Sequence, residues 1–500
     1  MSADSPVHIV WFVRDLRLCD HAPLTEALHQ AQQSGGAVLP LYIVDPARTQ
    51  AEDYAARYWH FVRPCLQELR HRLEQRGAPL VVRQGPAVDV LKALQERFPQ
   101  MTLWRHYETE TADVRARDAR VQAWCRAAGV PLHERFHRGA FPGLKSRDDW
   151  SGRWDQRMTQ SLIPSPGQIP AVADVAPGRL PTVEELPLRD EGFDPDEMQA
   201  PGEGAAHRCL QDFLHHRAAQ YRASISSPAR AFTNCSRLSP HLTWGTLSLK
   251  TVLHMLRERQ QALKAQPSGG DWQRALQAFE SRLHWNGHFI QKLDDAPRIQ
   301  HESYIPAFDA ARAGAAPDAH LEAWRTGQTG YPMVDASIRA FRATGYLNFR
   351  MRAMITSFAS YDLWLDWRDF APIMARWMLD YEPGIHYPQV QMQSGTTGIN
   401  TMRIYNPTKQ VTDHDPDGTF IRRWVPELRP LPTGYLAEPW KTPPLVQEEV
   451  GCHIGQVYPL PIVEHLPAVR KARERLTAIR KEPRVQAAAA RVLKQHGSRR

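Results

Sequence analysis

Residues 8–44 read HIVWFVRDLRLCDHAPLTEALHQAQQSGGAVLPLYIV. The stretch opens on a β-branched and aromatic run (8–13), crosses an amphipathic segment at helical spacing (23–33) and closes on a second apolar run (37–44). Strand, helix, strand with short links predicts two parallel strands joined by a helix packed on their sheet. The pattern repeats outward: PLVVRQG (79–85) and TLWRHYE (102–108) read as strands, and 54–76, 86–98 and 111–129 keep helical spacing. Near-continuous apolar strands imply a parallel sheet covered on both faces. Residues 1–140 are therefore expected to form an α/β domain. The first strand is followed by RDLRLCDHAPL, without a glycine fingerprint, so a dinucleotide held at that turn is disfavoured. A ligand at the carboxyl edge of the sheet stays open.

The character changes at 141–205, where IPSPGQIP, APGRLP and FDPDEMQAPGEG carry prolines and glycines with little periodicity, as expected of a connector. Helical spacing dominates from 206 to about 380. An irregular stretch to 445 closes a second, all-α domain, which holds nine of the fifteen tryptophans between 244 and 440. Residues 446–500 read as an extension ending in a basic helix or tail. From Ala468 to Arg500 there are eleven Lys/Arg against two Glu, so the other 467 residues sum to −1 of the net +8. Such a tail suits phosphate, or is simply a solvated terminal helix.

Composition narrows the class. With 42% hydrophobic residues the chain can fill the cores of several domains. No apolar run reaches the ~18 residues of a membrane span, and the amino terminus lacks a cationic leader, so a cytoplasmic protein is expected. Six cysteines without a CxxC pair point to reduced thiols; only three lie beyond residue 200, too few there for a four-thiolate iron–sulfur cluster. His284 and His288 in HWNGH lack the Glu of HExxH and a third ligand, and His133 and His137 fail similarly. DHDPDG (413–418) begins like a calcium loop but has Trp424 at position twelve. No metal is expected.

Three stretches can carry chemistry. In FTNCSRLSPHLTWGTLS (232–248), Ser239 before Pro240 reads as an N-cap, with Ser236 and Arg237 beside it. That arrangement suits a phosphate, or is ordinary capping with a surface arginine. In WRTGQTGYPMVDASIRAFRATGYLNFRMRAMITSF (324–358), Arg350 and Arg352 are two residues apart and cannot share a helix face. A buried arginine here needs a carboxylate: Asp380 or Glu382 in MLDYEPGIHYPQ, with Asp366 in LWLDWRDF as the competitor. The tryptophans are core residues or platforms for a large planar cofactor or stacked bases.

Taken in order, these stretches resemble the DNA photolyase/cryptochrome family over residues 8–440. WFVRDLRLCDHAPL (11–24) is similar to its opening strand and turn, and CSRLSPHLTWGTLS (235–248) to its flavin-phosphate segment. WRTGQTGYPMVDASIRAFRATGYLNFRMR (324–352) with LWLDWR (363–368) is similar to its helical core. RIYNPTKQ…DHDPDGTFIRRWVPEL (403–428) with EPW (438–440) is similar to its closing signature. The resemblance implies FAD folded within the helical domain, an antenna chromophore in the α/β domain and UV-damaged DNA as partner to a monomer. Carried over by position, Tyr221, Cys235, Ser236, Arg237, Leu238 and Ser239 surround the phosphates and ribityl chain. Arg352 and Asp380 flank the isoalloxazine with Tyr381 and Glu382 nearby, and His386 faces its N5. Trp285 packs on the flipped lesion, while Phe349, Arg350 and Gln410 fall on DNA-contacting positions.

The departures carry equal weight. The glutamate that dimer-repairing relatives place three residues before Trp285 is Arg282 here, and Glu280 points elsewhere on the helix. The usual asparagine and methionine around Arg350 are Phe349 and Ala353. Of three electron-hopping tryptophans only Trp367 stands, the others falling on Val390 and Gly314; Trp364 and Trp377, or Tyr381 and Tyr387, offer another route. The expected activity is that of a deoxyribodipyrimidine photolyase: light-excited reduced FAD splits a cyclobutane dimer, with His386, Arg282 and Trp285 at the reacting site. A protonated His386 would favour anionic reduced flavin and make activity pH-dependent. The alternatives are a cryptochrome-like blue-light photosensor and repair of the (6-4) photoproduct.

Overall fold

The computed structural model describes residues 5–144, 146–264, 270–312 and 316–497. Strands β1 (Val7–Phe12), β2 (Ala37–Val44), β3 (Val81–Gln84), β4 (Met101–His106) and β5 (Leu132–Arg135) form one parallel sheet in the order β3-β2-β1-β4-β5. The four expected strands are present. β5 is an addition that the sequence hid, because its four residues, LHER, are all half-buried and carry no apolar run.

Alternation along the strands splits the core in two. Val10, Phe12 and Val38 face α1 (Ala22–Ser34) and α2 (Ala56–Glu74), whereas Ile9, Trp11 and Leu39 face α3 (Ala87–Arg97) and α4 (Ala112–Ala127). Every residue of β1 is therefore buried, as a doubly covered strand requires. The chain leaves β1 toward β2 and β3, then returns to β4 on the other side. The carboxyl ends of the central strands thus lie at a topological switch, where open α/β sheets hold ligands.

The connector is ordered against both parts of the molecule. Val82 N donates to Pro177 O at 2.7 Å, and Asp194 N donates to Ala343 O at 2.9 Å. Beyond it the chain is helical. The elements that build the site are α5 (Gly270–Asp295), α6 (Phe349–Ser357), α7 (Trp367–Trp377), α8 (Pro383–Ser394) and α9 (Pro407–His414). α5 and α8 approach closely at Gly384, where an added Cβ would stand 2.7 Å from Ile290 Cα.

The carboxyl end of β1 meets the helical part at Gly245. Its φ of +68° and the 2.0 Å that a Cβ would leave to Arg14 O both demand glycine. Arg14 crosses this boundary: its Nη2 lies 2.7 Å from Glu382 and its Nε 2.9 Å from Glu110. The carboxy-terminal extension is not a loose tail. α10 (His465–Lys481) and α11 (Pro483–His496) bury Val469, Ala472, Leu476, Val485 and Val492 against Tyr304, Phe308, Tyr361 and Trp364. Arg470, Lys471, Arg473 and Arg475 remain exposed on the outside. Among the described residues no helix is long and apolar enough to cross a membrane.

Candidate functional site

A cavity opens among α5, α6, α7 and α8. Arg352 reaches it from α6 and donates from Nη2 to Asp380 Oδ2 at 3.0 Å, so of the competing carboxylates it is Asp380 that pairs. Asp366 instead caps α7 through Arg368 N at 3.0 Å and holds the Arg368 side chain. The helical phase explains the choice. Arg352 points into the cavity, while Arg350 turns toward His414 on α9, whose imidazole it helps to hold below its ordinary pKa after burial.

His386 lines the cavity from the first turn of α8 and is buried. Its Nε2 donates to Ala371 O at 2.9 Å, and burial lowers the imidazole to about 4. It is therefore neutral at physiological pH, with Nδ1 left as an acceptor. The sequence leaves the protonation state of His386 open, and a buried ring whose one N–H serves a carbonyl takes the neutral one.

The remaining lining is rich in unsatisfied polar atoms. Asp380 Oδ1, Gln389 Oε1 and both amide atoms of Gln393 are buried without a partner among the described residues. Buried polar groups are mostly paired in folded proteins, so these atoms leave the wall free to hydrogen-bond a bound molecule. Sequence reasoning missed Gln389, Gln393 and Asn286, which also line it. The signal was present in HYPQVQMQ: Gln389 and Gln393 follow His386 at i+3 and i+7, one stripe of a helix.

Ser239 lines the cavity too, yet it is the first helical residue and not the N-cap; Leu238 holds that position without a side-chain cap. Ser239 Oγ is thus not spent on capping. Arg237 has φ +59° and lies 3.6 Å from the Tyr346 ring centroid, and its buried Nη1 has no partner. Burial lowers its pKa. Leu238, Cys235 and Tyr221 are buried in the adjoining core, Tyr221 edge-on to Phe213 and Phe279. The Ser236 carbonyl accepts from Cys209 Sγ.

Three expected residues sit outside this cavity, and a fourth lines it with its carboxylate already engaged. Tyr381 is fully buried behind the cavity wall with its hydroxyl on Asp53. Glu382 lines the cavity, but its carboxylate is engaged by Arg14 and Arg138 from the α/β side. Arg282 is exposed and bonded to the Tyr221 hydroxyl, and Glu280 pairs with Arg257 at 3.0 Å. Trp285 lines a neighbouring cleft with Arg147, Trp150 and Gly497, edge-on to His288. Of the expected DNA-contacting residues, Phe349 is 50% exposed and lines the cavity, while Arg350, half-buried, and Gln410, buried with Oε1 unpaired, are not among its lining residues.

Comparison with known proteins agrees with this geometry. Residues 8–142 match the family described as DNA photolyase, and residues 279–478 the FAD binding domain of DNA photolyase. The deoxyribodipyrimidine photo-lyase of Escherichia coli K12 is 30% identical over 482 residues, 92% of this chain and 96% of that protein. The chain belongs to the DNA photolyase family. Within the same family, cryptochrome DASH of Gloeobacter violaceus is 27% identical over 482 residues, 91% of this chain and 93% of that one. The crystal structure of a bacterial class III photolyase from Agrobacterium tumefaciens is matched with a TM-score of 0.80 at 26% identity, covering 96% of this chain and 98% of that one.

The cavity of this photolyase-family chain lies within its FAD-binding domain, and the unpaired amides and carboxylate oxygen suit a polar, ring-bearing cofactor. The tryptophans of interest diverge. Trp367 donates to Ser303 Oγ at 2.9 Å and meets Tyr387, 6.4 Å between centroids. Trp377 stacks on Trp324, and Trp364 lies between Arg312 and Arg475. Val390 lines the cavity, and Gly314 lies outside the described residues. The HWNGH histidines have other occupations: His284 meets Ser151 Oγ, and His288 Nδ1 accepts from Arg147.

Proposed function

We propose that the protein is a light-driven DNA-repair flavoprotein that splits cyclobutane pyrimidine dimers, with FAD in the helical cavity. The observation that carries the reading is the cavity wall itself: an Arg352–Asp380 pair beside buried, unpaired Gln389, Gln393 and Asp380 atoms. Bound there, reduced FAD supplies, on absorbing blue light, the electron that opens the dimer. The protein's part is placement. Arg352 and Asp380 hold fixed charge at the cavity, and the neutral His386 presents an acceptor. The resemblance gives Ser239 and Arg237 to the phosphates, and Ser239, free of a capping role, lines the cavity.

At the mouth, Phe349 offers an apolar face to an extruded base, and the resemblance gives Arg350 and Gln410, outside the lining, to the strand. Flipping costs a few kcal/mol and least for damaged bases, so an exposed platform beside the cavity selects the lesion. Trp285 and Arg282 serve DNA from outside the cavity, not as a ligand pair within it. A second, antenna chromophore would lie at the carboxyl edge of the sheet, where a small cleft has flat walls from Trp11, Tyr42, Trp59 and Trp244 and positive charge from Arg48 and Arg117.

The competing reading is a cryptochrome-like photosensor, favoured by the absence of a carboxylate at Arg282 and by the exposure of that arginine. One assay separates them. The reduced, FAD-loaded protein is incubated with a dimer-containing oligonucleotide in blue light and in darkness, and restored thymines are counted. Restoration in light alone is expected; FAD binding without restoration replaces repair by sensing.

A further inference from the structure

α5 faces two hollows: Asn286 lines the helical cavity, while Trp285 and His288 line the smaller cleft with Arg147 and Trp150. Trp285, His288 and Lys292 follow one another on this helix at i, i+3 and i+7, one stripe of its surface. α11 contributes from its end. Gly497 lines the cleft, and His496, 2% exposed, lies edge-on to Tyr304 with 5.1 Å between centroids.

The polar atoms at this junction are mostly donors. Arg147 Nη2 donates to His288 Nδ1 at 2.8 Å, which leaves the proton of the neutral ring on Nε2. That N–H is buried without a partner among the described residues, as are His496 Nδ1 and the Tyr304 hydroxyl. Lys292 adds an ammonium 4.8 Å from the Phe289 ring centroid. Burial, then Arg147, lower its pKa to about 7, and no carboxylate among the described residues raises it. After burial, Lys292 and Arg147 also lower both His288 and His496, with Arg298 adding to the effect on His496. The nearby carboxylates are engaged. Asp295 accepts from Gln291 at 2.6 Å and lies 3.5 Å from Arg147, while Asp294 accepts from Tyr107 and Thr109.

An ammonium buried beside a guanidinium, with one carboxylate between them, is costly. Water can satisfy a hydroxyl or a ring N–H, but it does not cancel charge. A tetrahedral oxyanion does both, because it is negative and accepts on several sides. We propose that Arg147, His288, Lys292 and His496, with the Tyr304 hydroxyl, form a binding site for one tetrahedral oxyanion held between α5 and the end of α11. Its source is a free ion or a phosphate of a bound strand, and the chemistry is the same for both. Occupied, the site ties the carboxy-terminal extension to the helix that carries Trp285 and returns Lys292 to its charged form.

The test uses the full chain and sulfate, whose charge does not change near neutrality. Sulfate is titrated by calorimetry against a chloride background of constant ionic strength. One sulfate per chain is expected, taken up with a proton and bound about tenfold more weakly at pH 9 than at pH 8, because the free ammonium of Lys292 is lost there. Lys292→Met removes the charge and is expected to weaken sulfate at least about tenfold and to flatten the pH dependence. Urea unfolding without sulfate should show this variant no less stable than wild type, since a buried amine is replaced by an apolar chain. Arg470→Gln, an exposed cation of α10, should leave sulfate binding unchanged. A wild type that binds no sulfate, or Lys292→Met binding it at wild-type strength, overturns the site. An undamaged oligonucleotide added to the sulfate complex assigns the source: displacement of sulfate makes the group a strand phosphate, and simultaneous binding makes it a free ion. Sulfate held by a protein that restores no dimers leaves the site standing and removes only the repair reading.

Discussion

Asp380 has one oxygen on Arg352 and another that is buried without a partner, so it is half satisfied within the protein. Removing its cation leaves a carboxylate with little to hold it. Arg352→Ala is expected to cost about 3 kcal/mol of stability in the apoprotein, the lower part of the range for breaking a buried pair because Arg352 keeps some exposure. Urea unfolding reads that loss, and FAD retained through gel filtration should drop with it. His386 gives a pH prediction whose sign follows from burial. Its folded pKa of about 4 lies below the unfolded 6.5, as does that of His241, also about 4. Stability from both rings is complete above 6.5 and is lost as pH falls through 4, because the unfolded chain binds protons first. The urea midpoint should therefore fall across that window, and fall less in His386→Asn. Between pH 7 and 8 His386 carries no titration, so the rate of dimer restoration should not change there on its account.

At the scale of elements, Gly245 is where the helical part locks onto the end of β1. Gly245→Ala sets a Cβ 2.0 Å from the Arg14 carbonyl at φ +68°, which no rotamer change relieves. A loss of about 3 kcal/mol or more is expected, with the Arg14–Glu382 contact displaced; thermal unfolding together with FAD content would show it. The same region shows what was legible beforehand. β1, β2 and the helix between them announce themselves because a doubly covered strand must be apolar throughout. That an arginine at 350 or 352 needs a carboxylate was legible from charge, whereas the choice of Arg352 with Asp380 came from the resemblance. β5 was hidden because an edge strand can be polar, and the Glu382 clamp because its cations come from residues 14 and 138, distant in sequence. Ser239 was misplaced by one position, because Pro240 is tolerated anywhere in a first turn. Tyr381 turned away from the cavity because its neighbours on both sides face it, a register that sequence spacing does not fix in an extended entry to α8.

For the whole molecule, the question is how the +9 carried from Ala468 onward, more than the entire net charge of +8, would meet DNA. α10 and α11 hold their apolar stripe against Tyr304, Phe308 and Trp364 and display Arg470, Lys471, Arg473 and Arg475 on the other side, so the charge on these helices is a fixed surface. Two measurements separate its structural role from its electrostatic one. Leu476→Ala opens the buried seam and is expected to lower stability by about 3 kcal/mol while leaving every cation in the chain. Replacing Arg470, Lys471 and Arg473 by Gln leaves the seam intact, since all three are exposed. If this surface lies along the duplex, that triple change should weaken binding to undamaged and dimer-containing DNA alike. It should also lower the slope of log affinity against log salt by about 0.9 for each phosphate that is no longer neutralised. An unchanged slope would put the strand at Arg350 and Gln410 alone, and α10 and α11 would then be a brace for Trp364 and Tyr361 with no part in the interface.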